Sequence, residues 1–261
     1  MILVTGATGC LGKEVMRIGG PICIGMDHQN LDITNPLQVY NVLRTYPING
    51  VINCAGIVKG RQLPASEYIR VNSLAPHILA EMCADLGIRL IQVSTDCVFS
   101  GIAGPYIEYD LPDPTDLYGR SKLAGEVQGT WHLTVRTSFI GYGRQGLLNW
   151  VLNAKGKIPG YFDAKWNGLT STQLAYVLLD LISDNSLTGV VHICGESTNK
   201  LTLLRKIVEM WQLPIEVYEA PTPEEHQVNR ILKSVRYTGI KVPSLDSMLA
   251  ELYSIGVPCL Q

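Results

Sequence analysis

The strongest constraint in this sequence is an alternation. Six short, almost wholly apolar runs (Ile2–Thr5, Ile22–Met26, Gly50–Cys54, Leu90–Ser94, Leu133–Thr137 and Val190–Cys194) are separated by stretches with helical spacing. The helical stretches of the first half are Leu11–Ile18, Pro36–Tyr46, Val71–Leu86 and Ser121–Gly129. Those of the second half are Leu147–Leu152, Thr172–Ser183, Leu201–Trp211 and Ser244–Tyr253. Strands apolar throughout must be covered on both faces, and strands joined through helices run parallel. The pattern predicts an α/β fold, a doubly wound parallel sheet of the Rossmann type. After about Gly141 the rhythm loosens: Gly156–Gly168 mixes glycine, proline and aromatics, and Pro214–Pro223 reads as irregular. The expected organisation is a sheet domain from residues 1–142 and 169–195, with a small interleaved lobe from 143–168 and 196–261.

Composition narrows the class. The 261 residues are 46% hydrophobic and 17% charged, too apolar for a disordered chain and enough for a large core. With 21 Lys+Arg against 23 Asp+Glu there is no basic excess for nucleic acid. No apolar run nears the roughly 18 residues of a membrane span. Met1–Gly6 carries no basic leader, so a cytoplasmic protein is expected. The seven cysteines (Cys10, Cys23, Cys54, Cys83, Cys97, Cys194 and Cys259) are odd in number and widely spaced, with no CxxC. They predict buried thiols in a reducing compartment, with neither a disulfide framework nor a metal site.

Chemistry enters at the first turn. Gly6-Ala7-Thr8-Gly9-Cys10-Leu11-Gly12 follows the first strand and opens the first helix. A dinucleotide pyrophosphate needs close backbone approach, free N–H groups and the positive end of a helix dipole, and glycines permit that approach. The spacing is GxxGxxG rather than GxGxxG. NADH or NADPH is the implied cofactor. Asp27, just past the second strand, is placed to hydrogen-bond a ribose 2′-hydroxyl and to repel a 2′-phosphate, which tilts the expectation to NAD. The alternative is a solvated loop residue, and His28 beside it softens the repulsion. Asp32 and Ile33 are a second candidate, facing the adenine amino group and ring. Asp32 is as readily a helix cap, since Thr34 and Pro36 follow.

A second constellation is Tyr118-Gly119-Arg120-Ser121-Lys122. Positions four apart share a helix face, so phenol and ammonium can look into one site. A nearby cation favours phenolate and is expected to lower the tyrosine pKa. Thr95, after the strand ending Val93-Ser94, supplies a hydroxyl to polarise a carbonyl where ligands of open α/β sheets bind.

In order, Gly6–Gly12, Asn53-Cys54-Ala55-Gly56, Ser94-Thr95-Asp96 and Tyr118–Lys122 resemble the extended short-chain dehydrogenase/reductase family. More narrowly, Ser94–Gly101, Asp116–Glu126, Arg136-Thr137-Ser138 and Asn167–Thr170 resemble its dTDP-4-dehydrorhamnose reductase branch. The resemblance covers about the first 200 residues well and the tail loosely. It implies that Tyr118 protonates the carbonyl oxygen, that Lys122 lowers the phenol pKa and holds the nicotinamide ribose, and that Thr95 hydrogen-bonds the carbonyl. It further implies that Asn53, Ala55 and Gly56 line the cofactor and that Asn72 braces the helix behind the site. The family's 4,6-dehydratases carry an acid after the Thr-Asp pair. Cys97 stands there here, which disfavours water elimination and favours simple hydride transfer.

The substrate side is less defined. Lys165 and Trp166, within Gly160–Gly168, are candidates to meet a diphosphate and to stack a base, although core packing explains the aromatics equally well. Arg230, with Asn229 and Lys233, is a tail candidate for diphosphate charge, and Arg144 and Asn149 are candidates to face the sugar. The expected activity is NAD(P)H-dependent reduction of a nucleotide-linked 4-keto-6-deoxysugar, serving deoxysugar and polysaccharide synthesis. The wording of the motifs leaves UDP as open as dTDP. A sugar-nucleotide epimerase and an NAD(P)-binding regulatory subunit, like that of methionine adenosyltransferase, are the alternatives. Family members often pair, so a homodimer is left open.

Overall fold

The computed structural model describes residues 1–129, 131–223, 229–239 and 241–256; Cys259 lies outside them. The first half contains β1 (Ile2–Thr5), α1 (Cys10–Gly19), β2 (Cys23–Met26), α2 (Pro36–Thr45), β3 (Gly50–Asn53), α3 (Ala65–Tyr68), α4 (Ala75–Asp85), β4 (Arg89–Val93), α5 (Leu117–Ala124) and β5 (Leu133–Thr137). The second half adds β6 (Phe139–Ile140), α6 (Leu147–Asn153), β7 (Gly156–Tyr161), β8 (Lys165–Trp166), β9 (Leu169–Thr170), α7 (Ser171–Leu181), β10 (Gly189–Ile193), β11 (Thr198–Asn199), α8 (Lys200–Met210), β12 (Ile215–Ala220) and α9 (Leu245–Ile255).

The six apolar runs pair in parallel as one sheet, in the order β10-β5-β4-β3-β1-β2. The expected doubly wound sheet is therefore the fold found. Strand pleating sorts the side chains onto two faces. Leu3, Val51 and Leu90 pack against Val39 and Leu43 of α2 and Leu79 of α4. Val4, Ile52 and Ile91 pack the opposite way, against Leu11 and Val15 of α1 and Leu174 and Leu178 of α7. Each such buried aliphatic side chain contributes roughly 1.5–3 kcal/mol. The chain leaves β1 for β2 on one side and returns to its other side for β3. The order thus reverses between β1 and β3, and ligands of such sheets bind at the carboxyl ends beside that reversal.

Three local readings are corrected. The helix expected over Ser121–Gly129 begins at Leu117 and ends at Ala124, because Asp116 Oδ1 caps it by accepting from the Gly119 N–H at 2.7 Å. The helix expected from Val71 is preceded by α3 and a π-helical turn, Ile69–Leu74, before α4. The segment expected to be irregular, Pro214–Pro223, contains β12, which pairs in parallel with β7. The helices α6 and α8 lie in the same part of the chain as that pair. Leu148, Val151, Ile158, Leu203, Leu204 and Ile207 belong to the same apolar cluster as Val4 and Ile91 of the sheet. Among the described residues no helix is long and apolar enough to cross a membrane.

Candidate active site

The glycine turn is built so tightly that side chains are excluded at its first and last glycines. Gly6 has φ +64°, and a Cβ there would lie 2.7 Å from the backbone N and Cα of Ala55. A Cβ on Gly12 would lie 2.2 Å from the Gly6 carbonyl oxygen. Gly9 opens α1 with extended backbone and no side-chain cap, which leaves the first amides and the positive helix end toward the crevice. A cradle without room for Cβ atoms and with uncapped amides fits a pyrophosphate. Thr8 is exposed on this turn, whereas the Leu11 side chain is in the core. Burial pushes the Cys10 thiol up to about 11, opposed by the neighbouring Ser171 side chain.

The other cofactor candidates divide. Asp27 Oδ1 accepts from the Gln29 and Asn30 N–H groups and from Asn30 Nδ2, and so organises the loop after β2. Asp32 Oδ1 accepts from the Thr34 N–H at 2.9 Å and its hydroxyl at 2.6 Å, which holds that carboxyl below its usual range. Ile33 is buried with Leu3 and Val51, so its side chain serves the core and is covered from a ring above it. The Asn53 side chain is fully buried: it accepts from Thr5 Oγ1 and the Ala55 N–H, and donates to Gln92. It braces the strand ends and offers the crevice no side-chain group. Asn72 does tie elements behind the site. It accepts from the Ile57 N–H at 2.7 Å and donates to the Ile57 carbonyl and to Ser121 Oγ of α5.

Thr95, Tyr118 and Lys122 gather at the carboxyl end of β4. Lys122 Nζ donates to the Val93 carbonyl at 2.7 Å, and a Cβ on Gly56 would lie 3.8 Å from that Nζ. The Lys122 residue is 6% exposed, and burial lowers its pKa to about 8, opposed first by Glu126. Thr95 caps the turn Asp96–Val98 by accepting from the Cys97 N–H at 3.2 Å. The Thr95 hydroxyl donates to Asp96 Oδ1 at 3.1 Å, and its side chain lowers the Tyr118 phenol pKa. The net shift is nevertheless upward, because burial dominates and Cys97, Asp96 and Asp116 add to it. The expected depression of the tyrosine pKa by Lys122 is thus corrected: one donor of the ammonium goes to the Val93 carbonyl, and burial holds the phenol protonated. Burial likewise pushes the Cys97 thiol up to about 12.

Cations reach this place from outside the motifs. Arg230 Nε donates to the Phe99 carbonyl at 2.7 Å, and burial raises the Asp96 pKa while Arg230 opposes the rise. Lys200, the first residue of α8, faces Asp96 and Cys97 from the lobe and sits 5.3 Å over the Trp166 ring. Lys59 pairs with Asp116 at 2.7 Å. Of these three, sequence reasoning had singled out only Arg230; neither Lys200 nor Lys59 lies in a motif. Trp166 is 5% exposed and its Nε1 donates to Ser138 Oγ, so the indole packs the lobe and leaves little face for a base. Lys165 is exposed on β8, bridged by its backbone to Asn229. Arg144 and Asn149 lie elsewhere, next to the glycine turn: Asn149 Nδ2 donates to the Arg144 carbonyl, and a Cβ on nearby Gly143 would lie 3.1 Å from Cys10 Cβ.

Comparisons with known proteins agree with this architecture. The family described as "RmlD substrate binding domain" matches residues 1–234. The dTDP-4-keto-6-deoxy-D-glucose reductase of Streptomyces niveus is 33% identical over 219 residues, covering 77% of this chain and 74% of that protein. The crystal structure of a dTDP-4-dehydrorhamnose reductase from Clostridium acetobutylicum superposes with a TM-score of 0.84 at 26% identity, covering 97% of this chain and 98% of the other. That of the Bacillus anthracis enzyme in complex with NADP gives 0.83 at 25% identity, covering 98% and 99%.

Proposed function

The chain belongs to the RmlD substrate-binding-domain family of extended short-chain dehydrogenases/reductases, and on that premise we propose that it reduces a nucleotide-linked 4-keto-6-deoxysugar as an NAD(P)H-dependent oxidoreductase. The observation that carries the reading is the gathering of the Thr95 hydroxyl, the Tyr118 phenol and the Lys122 ammonium at one strand end, beside a glycine cradle with no room for Cβ atoms. The cradle, Gly6 to Gly12, would hold the pyrophosphate on the uncapped end of α1, with Ala55 and Gly56 beside it. When bound, the reduced nicotinamide supplies the hydride that adds to C4 of the sugar. Thr95 and Tyr118 hold the ketone oxygen, and Tyr118 gives it the proton as negative charge develops there. A phenol kept protonated by burial suits that task, since even a weakened phenol is a stronger acid than the alcohol being made. Lys122 holds the nicotinamide ribose. A Cys97 thiol that stays protonated near neutrality provides no base for water elimination.

Arg230 and Lys200 converge on the same turn and suit the substrate's diphosphate. The dTDP sugar is the first choice because the relatives named above are dTDP-sugar reductases. Asp27 keeps its second oxygen free of the loop bonds made by Oδ1, which favours NADH over NADPH. The reading is of a cytoplasmic enzyme. The test is oxidation of NADH and NADPH with freshly generated dTDP- and UDP-4-keto-6-deoxysugars, run with Tyr118→Phe alongside. The expected result is turnover that prefers the dTDP sugar and NADH and that falls about 10²–10⁴-fold in the variant. Cofactor binding without oxidation on either sugar would overturn the reductase reading in favour of the epimerase or the regulatory subunit.

A further inference from the structure

A buried ion pair lies behind Lys122 and joins α5, β5, the end of β4 and the turn that follows it. Glu126 sits one turn past Lys122, just beyond the end of α5. Its Oε1 accepts from Arg136 Nε at 2.8 Å and from Ser94 Oγ at 2.8 Å, and its Oε2 accepts from Arg136 Nη2 at 2.7 Å. The two side chains are 4% and 5% exposed. Arg136 comes from β5 and stacks 5.2 Å over the ring of Phe99, just past the turn that Thr95 caps. Ser94 stands between Val93, whose carbonyl holds Lys122 Nζ, and Thr95.

Stability alone is a weak reason for such a pair, because apolar residues of similar volume commonly do as well. What the pair does supply is a fixed separation. Bidentate geometry admits one orientation of the two groups, and the third bond adds the end of β4. We propose that the Glu126–Arg136 pair is the positioning element of this site, locking the carboxyl end of β4 to α5 so that Thr95 stands at a set distance from Tyr118 and Lys122. This rests on the roles assigned to those three residues above. The carboxylate has a second effect. The groups facing the Lys122 ammonium are Glu126 on its own helix segment and the Cys54 thiol at the end of β3. Arg136 in turn faces His192 of β10. Replacing the carboxylate leaves Arg136 unpaired, so the Lys122 pKa falls further.

Two variants test this. Glu126→Gln keeps the shape and removes the charge; Glu126→Leu/Arg136→Met removes the pair without leaving a buried charge. The readouts are kcat against KM for the sugar nucleotide, and the Lys122 titration followed by NMR of labelled lysine, assigned with Lys122→Arg. In both variants kcat is expected to fall about tenfold or more, from misplacement of the hydroxyls, while the sugar KM changes little. The Lys122 titration is expected to move down by roughly one unit in Glu126→Gln and by less in the double variant. A folded double variant with wild-type kcat and titration overturns the proposal. So does a double variant that cannot fold, which would make the pair structural only. The titration needs no substrate. A shifted Lys122 in a protein that reduces no sugar therefore counts against the reaction class and leaves the electrostatic link intact. An unshifted one in an active enzyme counts against the link.

Discussion

Burying an ammonium is unfavourable unless other groups share its charge, and Lys122 has one carbonyl and a carboxylate already bound to Arg136. Its pKa falls from 10.5 to about 8. The unfolded chain therefore binds more protons than the folded one between those values. The unfavourable contribution is complete below about pH 8 and fades as pH rises toward 10.5. A shift of this size corresponds to about 3 kcal/mol. Lys122→Met is accordingly expected to be inactive yet more stable at pH 7, with a Tm higher by roughly 6–12 °C for a chain of this length. The advantage should hold up to about pH 8 and then shrink as melts are repeated toward pH 10; a pH-independent difference would refute the electrostatic account. The residues of this site were unequally legible. Tyr118, Lys122 and Thr95 stand in local motifs whose spacing already puts them on one face or at one strand end. Lys200 does not, and it acts only because α8 returns to the turn after β4; Glu126 closes the Asp116–Glu126 motif, but what it does there depends on β5 presenting Arg136 to it. The direction of the Tyr118 shift was illegible for the same reason, since burial is a property of the packed whole.

The same contrast holds for elements. Sheet strands were legible because a buried parallel strand is apolar on both faces. β12 was not, because Glu216, Tyr218 and Glu219 break any apolar run and its partner β7 is remote in sequence. The π-helical turn Ile69–Leu74 has no sequence signal, yet it carries Asn72. Such single-turn widenings are frequent at functional sites. Here Asn72 satisfies both backbone groups of Ile57 and one hydroxyl of α5, all away from water. Asn72→Ala would leave both Ile57 groups unpaired and take one of the two bonds of Ser121 Oγ, so it is expected to destabilise by about 2–4 kcal/mol. It should also loosen the loop that holds Gly56 against Lys122, and so raise the KM for the cofactor more than the KM for the sugar nucleotide. Denaturant melts and the two KM values check this; equal rises in both would place the effect in general unfolding instead.

At the scale of the whole molecule, the sheet domain and the lobe are a division proposed from sequence, and residues of both share one packed cluster. One apolar cluster runs from Val4 and Ile91 in the sheet through Leu174 of α7 to Leu204 of α8 and Leu249 of α9. Two indoles pin the seam. Trp166 donates to Ser138, just after β5. Trp211 donates to Tyr142 at 3.0 Å and packs edge-on against Tyr253 of α9. A lobe that shares its core with the sheet has no apolar interior of its own to keep when the sheet melts, so the two should unfold together. Near-UV circular dichroism, which reads the fixed environments of Trp166 and Trp211, and far-UV circular dichroism, which reads the sheet and helices, are expected to give coincident transitions in urea. A near-UV transition at clearly lower urea would mean that the lobe opens alone. The cations it brings to the turn after β4, Lys200 and Arg230, would then be delivered by a movable part rather than held ready by the fold.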